Sequence, residues 1–239
     1  MIVMKYYEND NLYQYLDRHK GILPWRDIVD ILWSIAGGLE EIHAEEKVHR
    51  NLHGGNLLIK DEKISTDARI SDVGIHGPCH NLESSNQIYG VLPYIAPEVL
   101  RGENYSTASD IYSFGIIMNV LATRKRPWYS RAHDISLAKD ICDGKRLKIP
   151  DDTSKFYAEL LRQCCDNEPE KRPTASHLFK KFSWTNLNLH DNDYSVSEET
   201  RRKIISQLPK SYTHPKIHHE EYYTSKLLYF PELSDIKKF

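Results

Sequence analysis

The chain has 239 residues, of which 40% are hydrophobic and 28% are charged, and its formal net charge is -2 at pH 7. That length is enough for one sizeable hydrophobic core or two small ones. The near-neutral charge gives no electrostatic reason to expect nucleic acid or an anionic membrane as a partner. The sequence contains no apolar run of about 18 residues, so no membrane span is predicted.

Cysteine usage and the first residues predict a cytoplasmic protein. The chain has four cysteines and no C-x-x-C pair, and the adjacent Cys164 and Cys165 lie in a helical pattern that suits buried free thiols. The apolar stretch over residues 1–6 is too short for a secretory signal peptide. We therefore expect a reducing compartment.

The first predicted helix runs from Pro24 to His43, because apolar residues recur there every three or four positions and Pro24 suits a first helical turn. Residues 57–59 and 68–71, separated by a polar stretch, predict a short β-hairpin. Residues 75–108 contain many Gly, Pro, Asn and Ser residues and predict a long irregular segment. A loop of this length inside a domain usually has a function.

The following part of the chain is predicted to be helical. The stretch Ile111–Ala122 is apolar nearly all round, which is typical of a helix buried on every side. Further helices are predicted at Ile135–Cys142, Phe156–Cys165 and Ala175–Phe182. From residue 184 to 239 this periodicity is lost, and the composition predicts a polar, loosely ordered tail that either docks back onto the domain or stays apart from it.

Five short motifs follow one another along the chain. Their positions are Val48–Asn56 (V-H-R-N-L-H-G-G-N), Asp72–Gly74 (D-V-G), Gly90–Glu98 (G-V-L-P-Y-I-A-P-E), Ser109–Gly115 (S-D-I-Y-S-F-G) and Arg172–Thr174 (R-P-T). In this order and spacing they resemble the catalytic loop, the D-F-G motif, the peptide-seating segment and two later motifs of the eukaryotic protein kinases. Within that superfamily the chain is most similar to tyrosine-kinase-like families, including large fungal expansions.

The resemblance covers about residues 1–182 and implies an α+β fold, a mainly helical large lobe with a small β-hairpin at the catalytic loop. It implies three parts: residues 1–7 as the last small-lobe strand and the hinge, residues 8–182 as the C-terminal lobe, and residues 183–239 as the tail. The hinge backbone near Met4 and Tyr6 would then pair with adenine. The N-terminal lobe is expected to be missing, because no G-x-G-x-x-G occurs and Lys5 lies too close to the catalytic loop to be the phosphate-pairing lysine.

The resemblance also implies ATP and Mg²⁺ as cofactors, with Asn56 and Asp72 as the magnesium ligands. In the family, an aspartate at position 51 accepts the proton of the substrate hydroxyl, and the neutral amide of Asn51 cannot do so. His53 stands where serine/threonine kinases usually have a lysine. Val91 replaces a threonine that links the peptide platform to that aspartate and that lysine.

Three further residues have structural roles in the family. Asp110 is expected to hold the backbone of the catalytic loop, and Glu98 is expected to pair with Arg172. Arg50 has two open interpretations: it clamps a phosphorylated Ser84, Ser85 or Tyr89, or it is satisfied by backbone carbonyls.

The magnesium pair and the aromatic part of the tail each have two interpretations as well. In the first interpretation, Asn56 and Asp72 still bind an ion or a nucleotide. In the second, they keep the arrangement of the family without binding a ligand. The aromatic run over residues 222–230 binds either a partner or the chain's own lobe. A metal site at His214, His218 and His219 is not favoured, because Pro215 disrupts their spacing.

These residues predict a catalytically inactive, pseudokinase-like protein that acts by protein binding in phosphorylation signalling. Its candidate partners are proteins, another kinase among them, and its candidate surfaces are residues 90–98, residues 135–142 and the face where a small lobe would sit. A second hypothesis is a truncated gene model of an active kinase that transfers phosphate from ATP to protein Ser, Thr or Tyr. A third is a decayed copy without function.

Overall fold

The computed structural model describes residues 11–19, 23–61, 66–72, 88–183, 192–207 and 223–233. The α-helices and strands follow one another in this order: α1 (Leu12–Arg18), α2 (Trp25–Ala44), β1 (Leu57–Asp61), β2 (Thr66–Ile70), β3 (Ile88–Gly90), α3 (Pro97–Leu100), α4 (Thr107–Thr123), α5 (Ile135–Cys142), α6 (Lys155–Cys164), α7 (Ala175–Phe182), α8 (Asn192–Gln207) and β4 (Lys226–Leu228). This mixture of helices with small antiparallel sheets agrees with the predicted α+β class.

Helix α4 is the centre of the hydrophobic core. Every residue from Ser109 to Ala122 is buried, as the apolar character of the stretch predicts. Helix α6 packs so closely on it that a Cβ at Gly115 would lie 2.6 Å from the Cys165 sulfur and 2.8 Å from the Cys164 Cβ. The glycine of the S-D-I-Y-S-F-G motif is therefore needed for this helix contact. The thiols of Cys142, Cys164 and Cys165 are free and buried, as expected.

Helix α2 and the hairpin form a second layer on this core. Helix α2 begins at Trp25, so Pro24 caps the helix rather than lying within its first turn. Strands β1 and β2 pair antiparallel from Leu57–Ile70 to Asp61–Thr66. The hairpin is longer than predicted, because polar residues at its tip continue the ladder on the solvent side while Thr66 stays buried.

Several elements were not predicted. Helix α1 is short and begins with a capping box between Asn11 and Gln14. The described part of the segment 75–108 contains β3 and α3, so the prediction of an irregular segment is wrong there. Strand β3 pairs with β4, in the register Ile88–Leu228 to Gly90–Lys226, and a partner so distant in sequence leaves no local pattern.

The tail also contains regular structure. Helix α8 docks through Arg201, whose guanidinium is completely buried and donates hydrogen bonds to the carbonyls of Leu23 (2.5 Å), Leu121 (3.1 Å) and Ala122 (3.3 Å). The guanidinium also lies 4.6 Å from the Trp25 ring centroid. Burial, with Arg124 nearby, lowers its pKa to about 10. The prediction of a loosely ordered stretch is therefore wrong for residues 192–207.

A second contact joins α8 to the start of α2. The backbone N–H of Trp25 donates to Glu198 Oε2 at 2.9 Å, which satisfies one of the N–H groups that a helix N-terminus leaves unpaired. Helix α8 thus binds the C-terminal end of α4 and the N-terminal end of α2. Within the described ranges, no helix is both long and apolar enough to cross a bilayer.

We expect Arg201→Ala to lower the free energy of unfolding by about 2–4 kcal/mol, because three carbonyls lose a charged donor and a buried cavity opens. The control is Lys203→Ala, on the same helix, whose exposed ammonium pairs with Glu199. This control should change stability by less than about 0.5 kcal/mol. Urea unfolding measures both. Equal stabilities of the two variants would contradict the docking of α8.

Candidate functional site

The loop of residues 48–56 is held by one buried carboxylate. Asp110, in the first turn of α4 and 1% exposed, accepts the backbone N–H of His49 at 2.8 Å and that of Arg50 at 2.9 Å. The Nε2 atom of His43 also lies 3.0 Å from Asp110 Oδ2. Arg50 has a φ of 68°, a left-handed conformation that is uncommon outside glycine and that these bonds stabilise.

A second set of bonds ties this loop to the residues around Asp72. The Asn56 side-chain NH₂ donates to the Asn51 carbonyl at 3.0 Å, and the Asn56 carbonyl accepts the Ser71 N–H at 2.9 Å. The Ser71 hydroxyl donates to the same carbonyl at 3.0 Å, and His49 Nε2 lies 2.8 Å from the Ser71 carbonyl. Asn51, Asn56 and Asp72 therefore belong to one connected unit, and Asp72 has a left-handed φ of 62°.

Asn56 and Asp72 fit a magnesium ion in the chemistry of their donors. The bond from Asn56 Nδ2 identifies Oδ1 as the remaining atom of that amide, and the Asp72 carboxylate is exposed. Oxygen ligands of this kind suit Mg²⁺, which normally keeps several waters or phosphate oxygens besides one or two protein ligands. In the described part of the chain, no cluster of three or more His, Cys, Asp or Glu residues forms a further metal site.

The His53 ring has a defined tautomer. Its Nδ1 accepts the Gly55 backbone N–H at 3.0 Å, so the neutral ring carries its proton on Nε2. Burial, with a smaller effect from His49, lowers the pKa of His53 from 6.5 to about 4. His53 is therefore neutral at pH 7.

Ser225, from the C-terminal tail, lies between the side chains of Asn51 and His53. Its hydroxyl is 3.1 Å from His53 Nε2 and donates to Asn51 Oδ1 at 3.0 Å. No sequence signal indicated this residue, because it follows Asn51 and His53 by more than 170 positions and lies in a stretch without periodicity. Asn51 and His53 are both buried at this contact.

Arg50 lies apart from this cluster. Its guanidinium carbon is 6.0 Å from the centroid of the Tyr105 ring, and the Tyr105 hydroxyl donates to the Tyr89 carbonyl at 3.3 Å. Ser84 and Ser85 lie outside the described residues, so the phosphate clamp stays a prediction. Met4 and Tyr6, predicted to contact adenine, and the histidines 214, 218 and 219 are outside the described residues as well.

The segment 90–98 is held at its C-terminal end and at its middle. Glu98 and Arg172 form a buried bidentate pair, with Nη1 2.7 Å from Oε1 and Nη2 2.8 Å from Oε2. The Tyr94 hydroxyl lies 2.5 Å from the Tyr13 hydroxyl of α1. Val91, three positions before Tyr94, is buried and supplies no hydroxyl group.

Glu98→Ala is expected to lower the free energy of unfolding by about 3–5 kcal/mol, because it leaves the Arg172 guanidinium buried without its counter-charge. The control is Glu168→Ala, which removes an exposed carboxylate 2.9 Å from Lys171 and should cost less than about 1 kcal/mol. Thermal unfolding compares the two. A Glu98 variant no less stable than the control would rule out this role of the pair.

His53 is also expected to make stability depend on pH. Its pKa is lower in the folded protein than in the unfolded chain, so the unfolded chain takes up the proton first as the pH falls. The contribution of neutral His53 to the free energy of unfolding is complete above about pH 6.5 and is lost towards about pH 4. Between these values the free energy of unfolding falls with a slope of at most about 1.4 kcal/mol per pH unit.

Urea unfolding at a series of pH values measures this slope in the native chain and in His53→Gln, which lacks the titrating group. His177→Gln, at an exposed histidine, is the matched control and should keep the native profile. Parallel profiles for the native chain and His53→Gln would contradict the buried neutral state of His53.

Comparison with known proteins identifies the family. The family model described as protein tyrosine and serine/threonine kinase matches residues 1–182. A probable serine/threonine-protein kinase of Dictyostelium discoideum is 30% identical over 183 residues, which are 76% of this chain and 11% of that protein. A second one from the same organism is 28% identical and covers 87% of this chain and 25% of its own length.

A serine/threonine-protein kinase of Arabidopsis thaliana is 25% identical, and the match covers 76% of this chain and 31% of that protein. The chain thus spans less than a third of the length of these curated relatives. The family match includes the loop 48–56, the Asp110 anchor and the Glu98–Arg172 pair, and on this basis the chain belongs to the protein tyrosine and serine/threonine kinase family.

Proposed function

We propose that this kinase-family domain binds protein partners in phosphorylation signalling and does not transfer phosphate itself. The observation that carries the proposal is Asn51, a neutral amide at the position where the family places its catalytic base. An amide oxygen can accept a hydrogen bond from a hydroxyl, but it cannot take the proton away at neutral pH.

The geometry at Ser225 illustrates this distinction. The Ser225 hydroxyl donates a 3.0 Å hydrogen bond to Asn51 Oδ1, so the position still orients a hydroxyl group. Loss of general-base catalysis lowers a rate by about 10²–10⁴-fold. The site therefore keeps the recognition of a hydroxyl and lacks the proton transfer.

His53 weakens phosphate transfer further. A lysine at this position would place a positive charge beside the transferring phosphate, and such electrostatic stabilisation is a main part of phosphoryl-transfer catalysis. Because the pKa of His53 is about 4, the ring is uncharged at pH 7 and supplies no such charge. The reduction in rate caused by the missing charge multiplies the reduction caused by the missing base.

Two surfaces support protein binding. Strand β3 pairs with another extended strand, and an edge of this kind is suited to binding a peptide through main-chain hydrogen bonds. Helix α5 buries Leu137, Ala138 and Ile141 and turns its polar face outward, where Asp140 pairs with Arg131 and Lys145. The relatives are named as serine/threonine-protein kinases, and a cytoplasmic protein of that kind is the class of partner we propose.

ATP and Mg²⁺ belong to the proposal only as ligands. Asn56 and Asp72 would hold the ion, which would neutralise the negative charge of nucleotide phosphates, while Asn51 would still be unable to remove the hydroxyl proton. A melt of the native chain with millimolar Mg-ATP, repeated for Asp72→Ala, tests this ligand site. A ligand at about 100 times its Kd raises stability by about 2.7 kcal/mol, which is readily measured.

The test of the proposal is phosphate transfer from radiolabelled Mg-ATP to the chain itself and to a basic protein substrate. We expect the native chain and Asp72→Ala to give the same background signal, in parallel with an active kinase as positive control. Asn51→Asp tests whether the base alone is limiting. Robust transfer by the native chain that disappears in Asp72→Ala would overturn the proposal.

A further inference from the structure

We propose that residues 223–233 are an intramolecular occupant of the peptide site, and that a partner strand with a Ser or Thr hydroxyl must displace them to bind. We call these residues the occluding segment. The inference rests on the proposed function in one respect: it takes the site formed by β3 and the loop 48–56 to be a protein-binding site.

The hydrogen bonds at Ser225 have a defined direction. The Gly55 N–H fixes the His53 proton on Nε2, so His53 donates to the Ser225 oxygen and the Ser225 hydroxyl donates to Asn51 Oδ1. Donor and acceptor sites of the two loop residues are thus complementary to one hydroxyl group. An alanine here would leave both buried polar atoms without this partner.

A strand pairing follows Ser225 directly. Strand β4 begins at the next residue, Lys226, and pairs antiparallel with Gly90, while Leu228 pairs with Ile88. Strand β3 continues into the segment 90–98. The occluding segment therefore covers the edge of β3 and the hydroxyl position of the loop at the same time.

Side chains towards both ends anchor the occluding segment. At one end, the Tyr223 hydroxyl donates to the Pro127 carbonyl at 2.9 Å, and the Tyr223 ring lies 5.3 Å from the Arg126 guanidinium. At the other end, Leu228 and Leu233 are buried in the core. The intervening Leu227 and Tyr229 point to solvent, as the alternation of a strand requires.

These anchors make the contact specific and still displaceable. The pairing is only three residues long, and two-stranded pairs of this size are marginal on their own. Its occupancy is favoured because the segment belongs to the same chain, and binding within one chain occurs at an effective concentration on the order of millimolar. A free peptide competes against that concentration, so removing an anchor should raise its apparent affinity.

The experiment uses the full chain and two fluorescein-labelled peptides with the sequence of residues 223–233, one native and one with Ser225→Ala. Fluorescence anisotropy measures their Kd for the native chain and for Leu228→Asp, which puts a charge at a buried anchor. The control chain is Val196→Asp, at a side chain on α8 that is 61% exposed.

We expect the native peptide to bind Leu228→Asp at least tenfold more tightly than it binds the native chain or Val196→Asp. The Ser225→Ala peptide should bind Leu228→Asp about three- to tenfold more weakly than the native peptide does, the loss expected for the hydrogen bonds of one hydroxyl. Equal affinity of the three chains for the native peptide, or equal affinity of the two peptides, would overturn the inference.

If Leu228→Asp does not melt cooperatively, Ser225→Ala in the full chain replaces it. Hydrogen–deuterium exchange of residues 88–90 then provides the second readout. Exchange should be faster in this variant than in the native chain, and unchanged exchange would overturn the inference.

The same chains separate this inference from the proposed function. Binding of the peptide by Leu228→Asp together with its phosphorylation by Mg-ATP would keep the occlusion and reject the inactive domain. Failure of the peptide to bind any chain would reject the occlusion and leave the absence of phosphate transfer unaffected.

Discussion

The site depends on the buried carboxylate of Asp110. This side chain lies in the first turn of α4 and accepts two consecutive backbone N–H groups from the loop 48–56. Because α4 is buried along almost its whole length, the loop is anchored to the centre of the hydrophobic core. The left-handed backbone at Arg50 and the positions of Asn51 and His53 all follow from this attachment.

The sequence predicted those parts of the structure whose signal is local. Helices α2, α4, α5, α6 and α7 have apolar periodicity within one segment, and their observed bounds lie within a few residues of the predicted ones. The motifs placed Glu98 opposite Arg172 and Asp110 beside the loop, because the family resemblance specifies those partners. Hairpin bounds were less accurate, since pairing continued through polar residues that have no apolar pattern.

The remaining features depend on contacts between distant segments. Arg201 is a charged residue in a polar stretch, and nothing within that stretch indicates that carbonyls of Leu23, Leu121 and Ala122 surround it. Ser225 is likewise an ordinary serine until the fold places it between Asn51 and His53. The sequence therefore predicted which residues of the loop depart from the family, but it did not predict what those residues contact.

The two departures are physically consistent with each other and with Ser225. An aspartate at 51 and a lysine at 53 would be ions, and burying each beneath the occluding segment would carry a desolvation cost of several kcal/mol. Asn51 and a neutral His53 avoid that cost, and they present one acceptor and one donor to a single hydroxyl. Val91 is buried as well and has no hydroxyl group. Replacement of the charges thus removes catalytic groups and, by the same chemistry, makes the closed arrangement with the tail stable.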